Sequence, residues 1–127
     1  MDTKQKNICI RAIKYFFRLI TGKPLVISYK DYIENLWTPS VDDRETTIPT
    51  ILPNWDHSPR SKNLFSVLHN STPELFEQHC LNVLKKVSKK KNKTIFLKSW
   101  NEWGEGNYME PDLKHGKKYI KALKSAL

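Results

Sequence analysis

Two short apolar runs in this chain are each followed by a polar segment and then by a helical pattern. The runs are residues 48–52 (IPTIL) and 94–97 (TIFL), and the polar segments are residues 53–60 and 100–112. Short continuous apolar runs are typical of buried parallel strands, and this order predicts βα units joined by right-handed crossovers. Since the carboxyl ends of parallel strands share one edge, we expect both polar segments at the same rim.

The N-terminal part of the chain predicts helices around one short strand. Residues 7–20 have a helical apolar pattern. Residues 25–29 predict a strand, and residues 31–37 predict a short helix with Asp31 as its N-cap. Residues 38–47 are rich in Thr, Pro, Ser and Asp and predict a loop.

Two more helices are expected in the C-terminal half. Thr72 is a hydroxyl N-cap, and the proline after it suits the first helical position. The side chains expected to form the buried face of this helix are Phe76, Cys80, Val83, Leu84 and Val87. The last helix is predicted over residues 114–126, with an inward face of Tyr119, Ile120 and Leu123.

Basic residues outnumber acidic ones in the chain, but one segment reverses that balance. The chain has 22 Lys plus Arg against 13 Asp plus Glu, a net charge of +9. Such a charge attracts polyanions. Residues 99–112, however, set their aromatic side chains among four acids and no base. A stacking platform for nucleic acid interleaves aromatic and basic residues instead, so we expect no nucleic-acid partner.

The sequence gives no indication of a membrane span, a metal or a cofactor. The apolar stretch at residues 8–20 is broken by three basic side chains, so we expect no signal peptide and no membrane span. A cytoplasmic protein, at most peripheral at the inner membrane, is the expectation. Cys9 and Cys80 lack ligand spacing and predict free thiols without a metal. No glycine-rich phosphate motif is present, so we expect no cofactor.

The segment 100–112 (WNEWGEGNYMEPD) contains the residue types of an acid/base site. Glu102 and Glu105 are three residues apart with a glycine between them, so on a curved turn both carboxylates can face one cavity. Paired carboxylates about 5–5.5 Å apart serve retaining glycosidases, and pairs about 6.5–9.5 Å apart serve inverting ones. Burial beside Trp100 and Trp103 would make one of them a proton donor near neutral pH. The alternative is a strand end whose glutamates cap backbone amides.

The segment 53–60 supplies further candidates at the same rim. Asp56 is suited to hydrogen-bond sugar hydroxyls, and Arg60 is suited to pair with an acid across the rim. The alternative is an Asp56–Arg60 pair that only fixes the loop. His57 is a candidate general base, with a packed or solvated histidine as the alternative.

Together the two segments resemble a known family. The pattern P-x-W-D-x-[ST]-P-R at residues 53–60, followed by W-N-E-W-x-E-G-N-Y-x-E-P-D at residues 100–112, is similar to the WbsX-like glycosyltransferases of bacterial O-antigen (lipopolysaccharide) and capsular polysaccharide gene clusters. That family resembles glycoside hydrolase family 99, whose catalytic domain is a (β/α)8 barrel. The Glu-Trp-x-Glu-Gly motif of family 99 matches residues 102–106.

The resemblance implies a role for each glutamate. Glu102 would be the base that deprotonates the sugar 2-hydroxyl, giving an anhydro-sugar intermediate, and Glu105 would be the general acid for the leaving group. Hydrolysis and transfer both remain open. The implied substrate is a glycan, and the residues expected to bind it are Trp55, Asp56, Arg60, Trp100, Asn101, Trp103, Asn107, Tyr108 and Glu110.

The length of the chain limits how much of a barrel it can form. A (β/α)8 barrel needs at least about 200 residues, and this chain has 127. We therefore predict an α/β fold in which residues 1–127 form one partial domain, the C-terminal βα units of an incomplete TIM-type barrel with parallel strands. A second chain could supply the missing units. The alternatives are a non-catalytic remnant and a basic binding module.

Overall fold

The structure of the protein, a computed structural model, describes residues 20–61 and 65–127. Within these ranges the fold is mixed α/β, and its short strands pair two by two. The elements in chain order are β1 (Leu25–Ser28), α1 (Tyr29–Asn35), α2 (Pro39–Asp42), β2 (Thr50–Ile51), β3 (Ser66–His69), α3 (Pro73–Val87), β4 (Phe96–Leu97), β5 (Asn101–Glu102), a 3-10 turn (Trp103–Glu105), β6 (Asn107–Tyr108) and α4 (Lys118–Ala126).

The helix predicted over residues 7–20 lies, apart from its last residue, outside the described ranges, and Cys9 lies outside them too. No helix that the structure describes is long and apolar enough to cross a lipid bilayer.

The strands preceding both polar segments are parallel neighbours, as the sequence predicts. Strand β2 runs beside β4 with Thr50 opposite Phe96, and β1 runs parallel to β3. The amide of Lys98 donates to the Ile51 carbonyl at 3.0 Å and extends the β2–β4 ladder past β4. Because α3 lies between the two strands in the chain, this pairing confirms a parallel connection through a helix.

Strand β3 is absent from the sequence prediction. Its four residues contain two apolar side chains between Ser66 and His69, too short a pattern to distinguish from a loop. In the structure β3 also bonds to the segment 53–60, where the Leu68 amide donates to the Trp55 carbonyl at 2.8 Å. The order is therefore strand, loop, strand, helix, and β3 anchors the 53–60 loop.

The first described helix begins earlier than predicted, and Asp31 is not its cap. Ser28 is the N-cap, and its hydroxyl accepts a hydrogen bond from the Asp31 amide at 3.3 Å. The shift moves Tyr29 into the helix, where its ring is fully buried and its hydroxyl donates to the Leu52 carbonyl at 2.6 Å. That contact joins residues 23 positions apart, so the local sequence pattern does not indicate it.

The loop predicted over residues 38–47 contains helix α2, so the prediction is wrong at residues 39–42. Pro39 stands at the first helical position, where an N–H would have no hydrogen-bond partner within the helix. The Asp42 carboxylate accepts a hydrogen bond from the Thr38 amide at 2.6 Å. The polar side chains that suggested a loop thus satisfy the ends of a short helix.

Helix α3 begins as predicted. Its buried face is the predicted one, except that His79 is buried in place of Leu84. The Thr72 hydroxyl accepts from the Leu75 amide at 3.2 Å. His79 is buried and Leu84 only half-buried, because His79 is three residues after Phe76 and shares its side of the helix. The main core cluster comprises Ile51, Phe76, Cys80, Val83, Val87, Met109, Tyr119 and Ala122. The Cys80 thiol is free, and burial raises its pKa to about 12.

Helix α4 begins at Lys118 rather than at residue 114. The residues before it form a turn in which the Gly116 amide donates to the Asp112 carbonyl at 2.9 Å. Gly116 takes a positive φ of 54°, which breaks the helical path. From Lys118 onward Tyr119 is buried and Leu123 packs against the core, as predicted, but Ile120 is only half-buried and Ala122 is buried in the core instead.

Candidate active site

The structure brings the two polar segments into direct contact. The Asp56 amide donates a hydrogen bond to the Glu105 carbonyl at 2.7 Å. Gly106 lies against the same residue, since a β-carbon at this position would be 3.0 Å from the Asp56 Cβ. One segment follows β2 and the other follows β4, so the parallel pairing of these strands explains why the segments meet.

The second segment folds into a tight hairpin that carries both glutamates. Strands β5 and β6 are antiparallel, and the 3-10 turn between them ends at Gly106, whose φ is 57°. Side chains at positions i and i+3 of a 3-10 turn project on the same side. Glu102, just before the turn, and Glu105, at its end, have this spacing.

Arg60 lies between the two carboxylates. Its Nη2 is 3.2 Å from Glu102 Oε1, and its Nη1 is 3.7 Å from Glu105 Oε1. The side chain of Glu105 is the least accessible of the three, at 19% exposed against 36% for Glu102 and 55% for Arg60. Ion pairs this exposed contribute little to stability. Their effect here is to orient both carboxylates toward one cation, and Arg60 pairs with these glutamates rather than with Asp56.

His57 lies closer to the glutamates than the sequence indicates. Its Nε2 is 3.8 Å from Glu105 Oε1. Its ring stacks on Trp55, with ring centroids 5.8 Å apart and planes at 21°, and the Trp55 Nε1 donates to Ser66 Oγ at 3.1 Å. The position of His57 within the first motif was the only available signal, because its contact with Glu105 comes from the fold.

Trp103 contacts other residues of its own hairpin. Its ring stacks on Tyr108, with centroids 3.7 Å apart, and its Nε1 donates to Glu110 Oε2 at 2.6 Å. Trp103 remains 47% exposed, and Trp100 remains 51% exposed. The expectation that these tryptophans bury a catalytic carboxylate stays a prediction, and the Trp103 ring covers Tyr108. Both residues keep aromatic surface open to a ligand.

Asn107 is a support for the hairpin rather than part of its surface. Its side chain is fully buried, and its Oδ1 accepts from the Ser99 amide at 2.9 Å. The Ser99 hydroxyl donates to the Asn107 carbonyl at 2.7 Å and accepts from the Glu102 amide at 3.2 Å. These bonds connect the end of β4, where the Lys98–Ser99 peptide is cis, to the backbone of Glu102. Asn101, by contrast, is exposed.

The remaining polar candidates are held by hydrogen bonds within the protein. Asp56 Oδ1 accepts from the Ser58 amide at 2.9 Å and so shapes its own loop. The Tyr108 hydroxyl donates to Asp112 Oδ2 at 3.2 Å. Burial, followed by the Asp112 charge, raises the pKa of Tyr108. Burial opposes ionisation of Asp112, but hydrogen bonds from the His115 amide and the Tyr108 hydroxyl outweigh it and lower the pKa of this carboxyl.

In residues 20–61 and 65–127, no group of three or more His, Cys, Asp and Glu side chains could hold a metal ion. Two carboxylates and an imidazole can accept or donate protons, and a guanidinium can orient or stabilise negative charge.

Comparison with known proteins identifies the family. Two proteins from different strains of Xanthomonas campestris pv. campestris, each described as uncharacterized protein WxcX, are 26% identical to the chain over 85 residues. This match covers 65% of the chain but only 12% of the length of each relative. No solved structure matches the chain significantly. The family model described as Glycosyltransferase WbsX matches residues 1–123, which include both polar segments. The chain therefore belongs to the WbsX glycosyltransferase family.

Proposed function

We propose that the chain supplies the acid and base of a carbohydrate-active site at which a glycosidic bond of a bacterial polysaccharide, an O-antigen or a capsule, is cleaved or transferred. The observation that carries this proposal is the contact of one guanidinium, that of Arg60, with both Glu102 and Glu105. This contact keeps the two carboxylates within roughly 9 Å of each other, a range over which glycosidase acid and base groups cooperate. Membership of the WbsX family supports a glycan substrate.

In the proposed reaction Glu102 is the base and Glu105 is the acid. Glu102 takes the proton of the sugar 2-hydroxyl, and O2 attacks the anomeric carbon while the bond to the leaving oxygen breaks. Glu105 gives its proton to that oxygen. Glu105 is the less exposed of the two carboxylates, and the resemblance to family 99 supports its role as the acid.

The second half of the reaction restores both groups. Water, or an acceptor hydroxyl, attacks the anomeric carbon of the 1,2-anhydro sugar and loses its proton to Glu105. The carboxylic acid of Glu102 returns its proton to O2 as the three-membered ring opens. Water as the nucleophile gives hydrolysis, and a sugar hydroxyl gives transfer.

The other motif residues divide into ligand-facing and supporting roles in this proposal. Trp100 and Trp103 are about half exposed, and aromatic faces pack against the C–H faces of sugars. Asn101 is exposed beside them and can hydrogen-bond a hydroxyl. Asp56 and Asn107 hold backbone amides and act through the shape of the site.

The division of roles is tested by the leaving group. Glu105→Gln should lower kcat for a natural glycosidic bond by roughly 10²–10⁴-fold, the contribution of general acid catalysis. A glycoside with a 2,4-dinitrophenolate leaving group needs no proton, so much of that loss should disappear. Glu102→Gln should lose turnover on both substrates. Glu34→Gln, which removes an exposed carboxylate on α1, is the matched control.

Two results would contradict these assignments. An equal loss on both substrates for Glu105→Gln would remove this residue from the acid role. Unchanged turnover in both glutamate variants would end the catalytic proposal for this chain while leaving its family membership intact.

We also propose that residues 1–127 are part of a larger barrel. The two-residue strands β2 and β4 pair with each other in the described ranges. Parallel strands normally lie within larger sheets that are covered on both faces, and open strand edges promote association. The chain alone should self-associate, as measured by light scattering after size-exclusion chromatography. Co-expression with the segment that completes the barrel should give a discrete species that turns over glycan. A stable monomer that turns over glycan without any added segment would contradict this proposal.

A further inference from the structure

A cleft of about 320 Å³ is lined in part by Trp55. It is linked to the glutamate pair through contacts of Trp55 and His57. Trp55 lines the cleft and stacks on His57, which in turn contacts Glu105. Apolar side chains of Ile27, Leu52 and Leu68 form part of its lining. This volume is at the lower end of the range for small-molecule pockets, which suits one sugar unit next to the reacting bond.

Lys98 gives this cleft its charge. Its Nζ lies 4.6 Å from the centre of the Trp55 ring, and its backbone is fixed by the bond to the Ile51 carbonyl. Across residues 20–61 and 65–127, no carboxylate oxygen lies within 4.0 Å of this ammonium. None of the described residues lining the cleft is acidic. The ammonium thus has an aromatic ring beside it and no anion.

In the cavity beside Trp37, Lys86 lies over that ring as Lys98 lies over Trp55, with its Nζ 4.8 Å from the ring centre, but acidic residues also line this cavity. The hollow of about 510 Å³ beside Trp37 contains Lys90, but Asp43 and Glu45 line it as well. The Lys90 ammonium is already bound by the carbonyls of Asp42 and Thr47, at 2.8 and 2.6 Å. The Lys98 cleft has no acidic residue among its described lining residues, and it connects to Glu105 through Trp55 and His57.

We propose that the Lys98 cleft is the subsite for an acidic sugar, a pyranose with a carboxylate or phosphate group, adjacent to the bond on which Glu102 and Glu105 act. The anion pairs with the exposed Lys98 ammonium through a charge-assisted hydrogen bond. The sugar ring lies against the apolar side chains of the lining, while Trp55, whose orientation is fixed by the bond to Ser66 Oγ, carries the Lys98 ammonium over its ring. The Ser66 and Tyr32 hydroxyls that line the cleft are available to the sugar hydroxyls. This inference rests on the proposed function, because it names the class of sugar that the same site takes.

Binding without turnover tests the subsite separately from the catalytic roles. The full chain is titrated, by ligand-detected NMR, with three sugars that differ only at C6: methyl galactopyranoside, methyl galacturonide and methyl galactoside 6-phosphate. A parallel gluco series covers the other common configuration. At least one acidic sugar should bind more tightly than its neutral counterpart, by roughly tenfold, as expected for one charge-assisted contact. The carboxylate and phosphate arms then show which anion the cleft takes.

Variants assign the effect to Lys98. Lys98→Gln should remove the tenfold advantage of the acidic sugar while leaving the neutral sugar unchanged. Lys124→Gln removes the same charge from an exposed position on α4 and should leave the advantage intact. Equal weakening by the two substitutions would show general attraction to a basic protein and overturn the proposal. Equal binding of acidic and neutral sugars, or no binding at all, would overturn it without any variant. Glu105→Gln should bind the acidic sugar normally, so the subsite and the catalytic assignment fail independently.

Discussion

Gly104 lies directly against the side chain of Arg60. A β-carbon at position 104 would be 2.7 Å from Arg60 Nε and 3.2 Å from Cζ, closer than real atoms approach. The absence of a side chain in the turn is therefore what allows the guanidinium to cross it and contact both Glu102 and Glu105. The glycine of the motif acts here by leaving space for a neighbouring loop.

Gly104→Ala should displace Arg60 from the glutamates while leaving the fold intact. The clash is with a flexible, half-exposed side chain, so the free energy of unfolding should fall by less than about 1 kcal/mol. Turnover, measured as kcat/KM, should fall as far as in Arg60→Ala. In the Gly104→Ala/Arg60→Ala double variant the two losses should not add, because each removes the same contact. Additive losses would show that Gly104 acts by another route.

Gly106 and Gly116 form a natural pair for separating backbone strain from steric conflict. Both have positive φ, 57° and 54°. A β-carbon on Gly106 would lie 3.0 Å from the Asp56 Cβ and 3.3 Å from its backbone nitrogen, whereas one on Gly116 meets nothing within 4 Å. The two alanine variants thus share the conformational cost and differ in the clash.

Gly116→Ala should lower the free energy of unfolding by roughly 1 kcal/mol, the cost of a left-handed conformation for an L-residue. Gly106→Ala should lower it by at least about 1 kcal/mol more, because the clash displaces the Asp56 backbone that joins the two polar segments. Urea unfolding of the two variants measures the difference. Equal losses of unfolding free energy would show that the clash at position 106 does not weaken the contact between the two segments.

The features predictable from the sequence are those that short-range patterns encode. The Thr72 cap, the apolar face of α3 and the parallel strands all follow from residue spacing, and the structure confirms them. The meeting of the segments after β2 and β4 follows from the geometry of parallel strands. These inferences need no knowledge of a distant contact.

The features missed by sequence reasoning depend on contacts between distant residues. Strand β3 has only two apolar residues, and its pairing with β1 stabilises it. Ser28 caps α1 in place of Asp31, and Tyr29, which thereby lies in the helix, bonds to the distant Leu52 carbonyl. His57 and Glu105 are also close because of a distant contact. Their loops follow strands β2 and β4, which pair although they are far apart in the chain.

The buried His79 should make the stability of the protein depend on pH. Burial, assisted by the positive charge of Lys86, lowers the pKa of His79 to about 4 from its ordinary value of 6.5. Between these values the unfolded chain binds a proton that the folded protein excludes, so stability is complete above about pH 6.5 and falls as the pH drops toward 4. From pH 7.5 to pH 5 the loss from this residue should be about 2 kcal/mol.

Urea unfolding at pH 7.5 and pH 5 checks this expectation. His79→Leu should reduce the difference between the two pH values, because it removes the buried titrating group. His69→Leu, at an exposed histidine on β3, should leave the difference near that of the parent protein. An undiminished pH dependence in His79→Leu would show that another group causes it.

Asn107 tests whether a motif residue acts on the ligand or on the fold. Asn107→Ala should lower the free energy of unfolding by about 1–3 kcal/mol, because the Ser99 amide loses its acceptor inside the protein. Asn101→Ala, at an exposed asparagine of the same hairpin, should change stability by less than about 0.5 kcal/mol. Ser99 also accepts from the Glu102 amide, so kcat should fall in Asn107→Ala through displacement of the base, with little change in KM. An increase in KM without loss of stability would instead assign Asn107 to direct contact with the glycan.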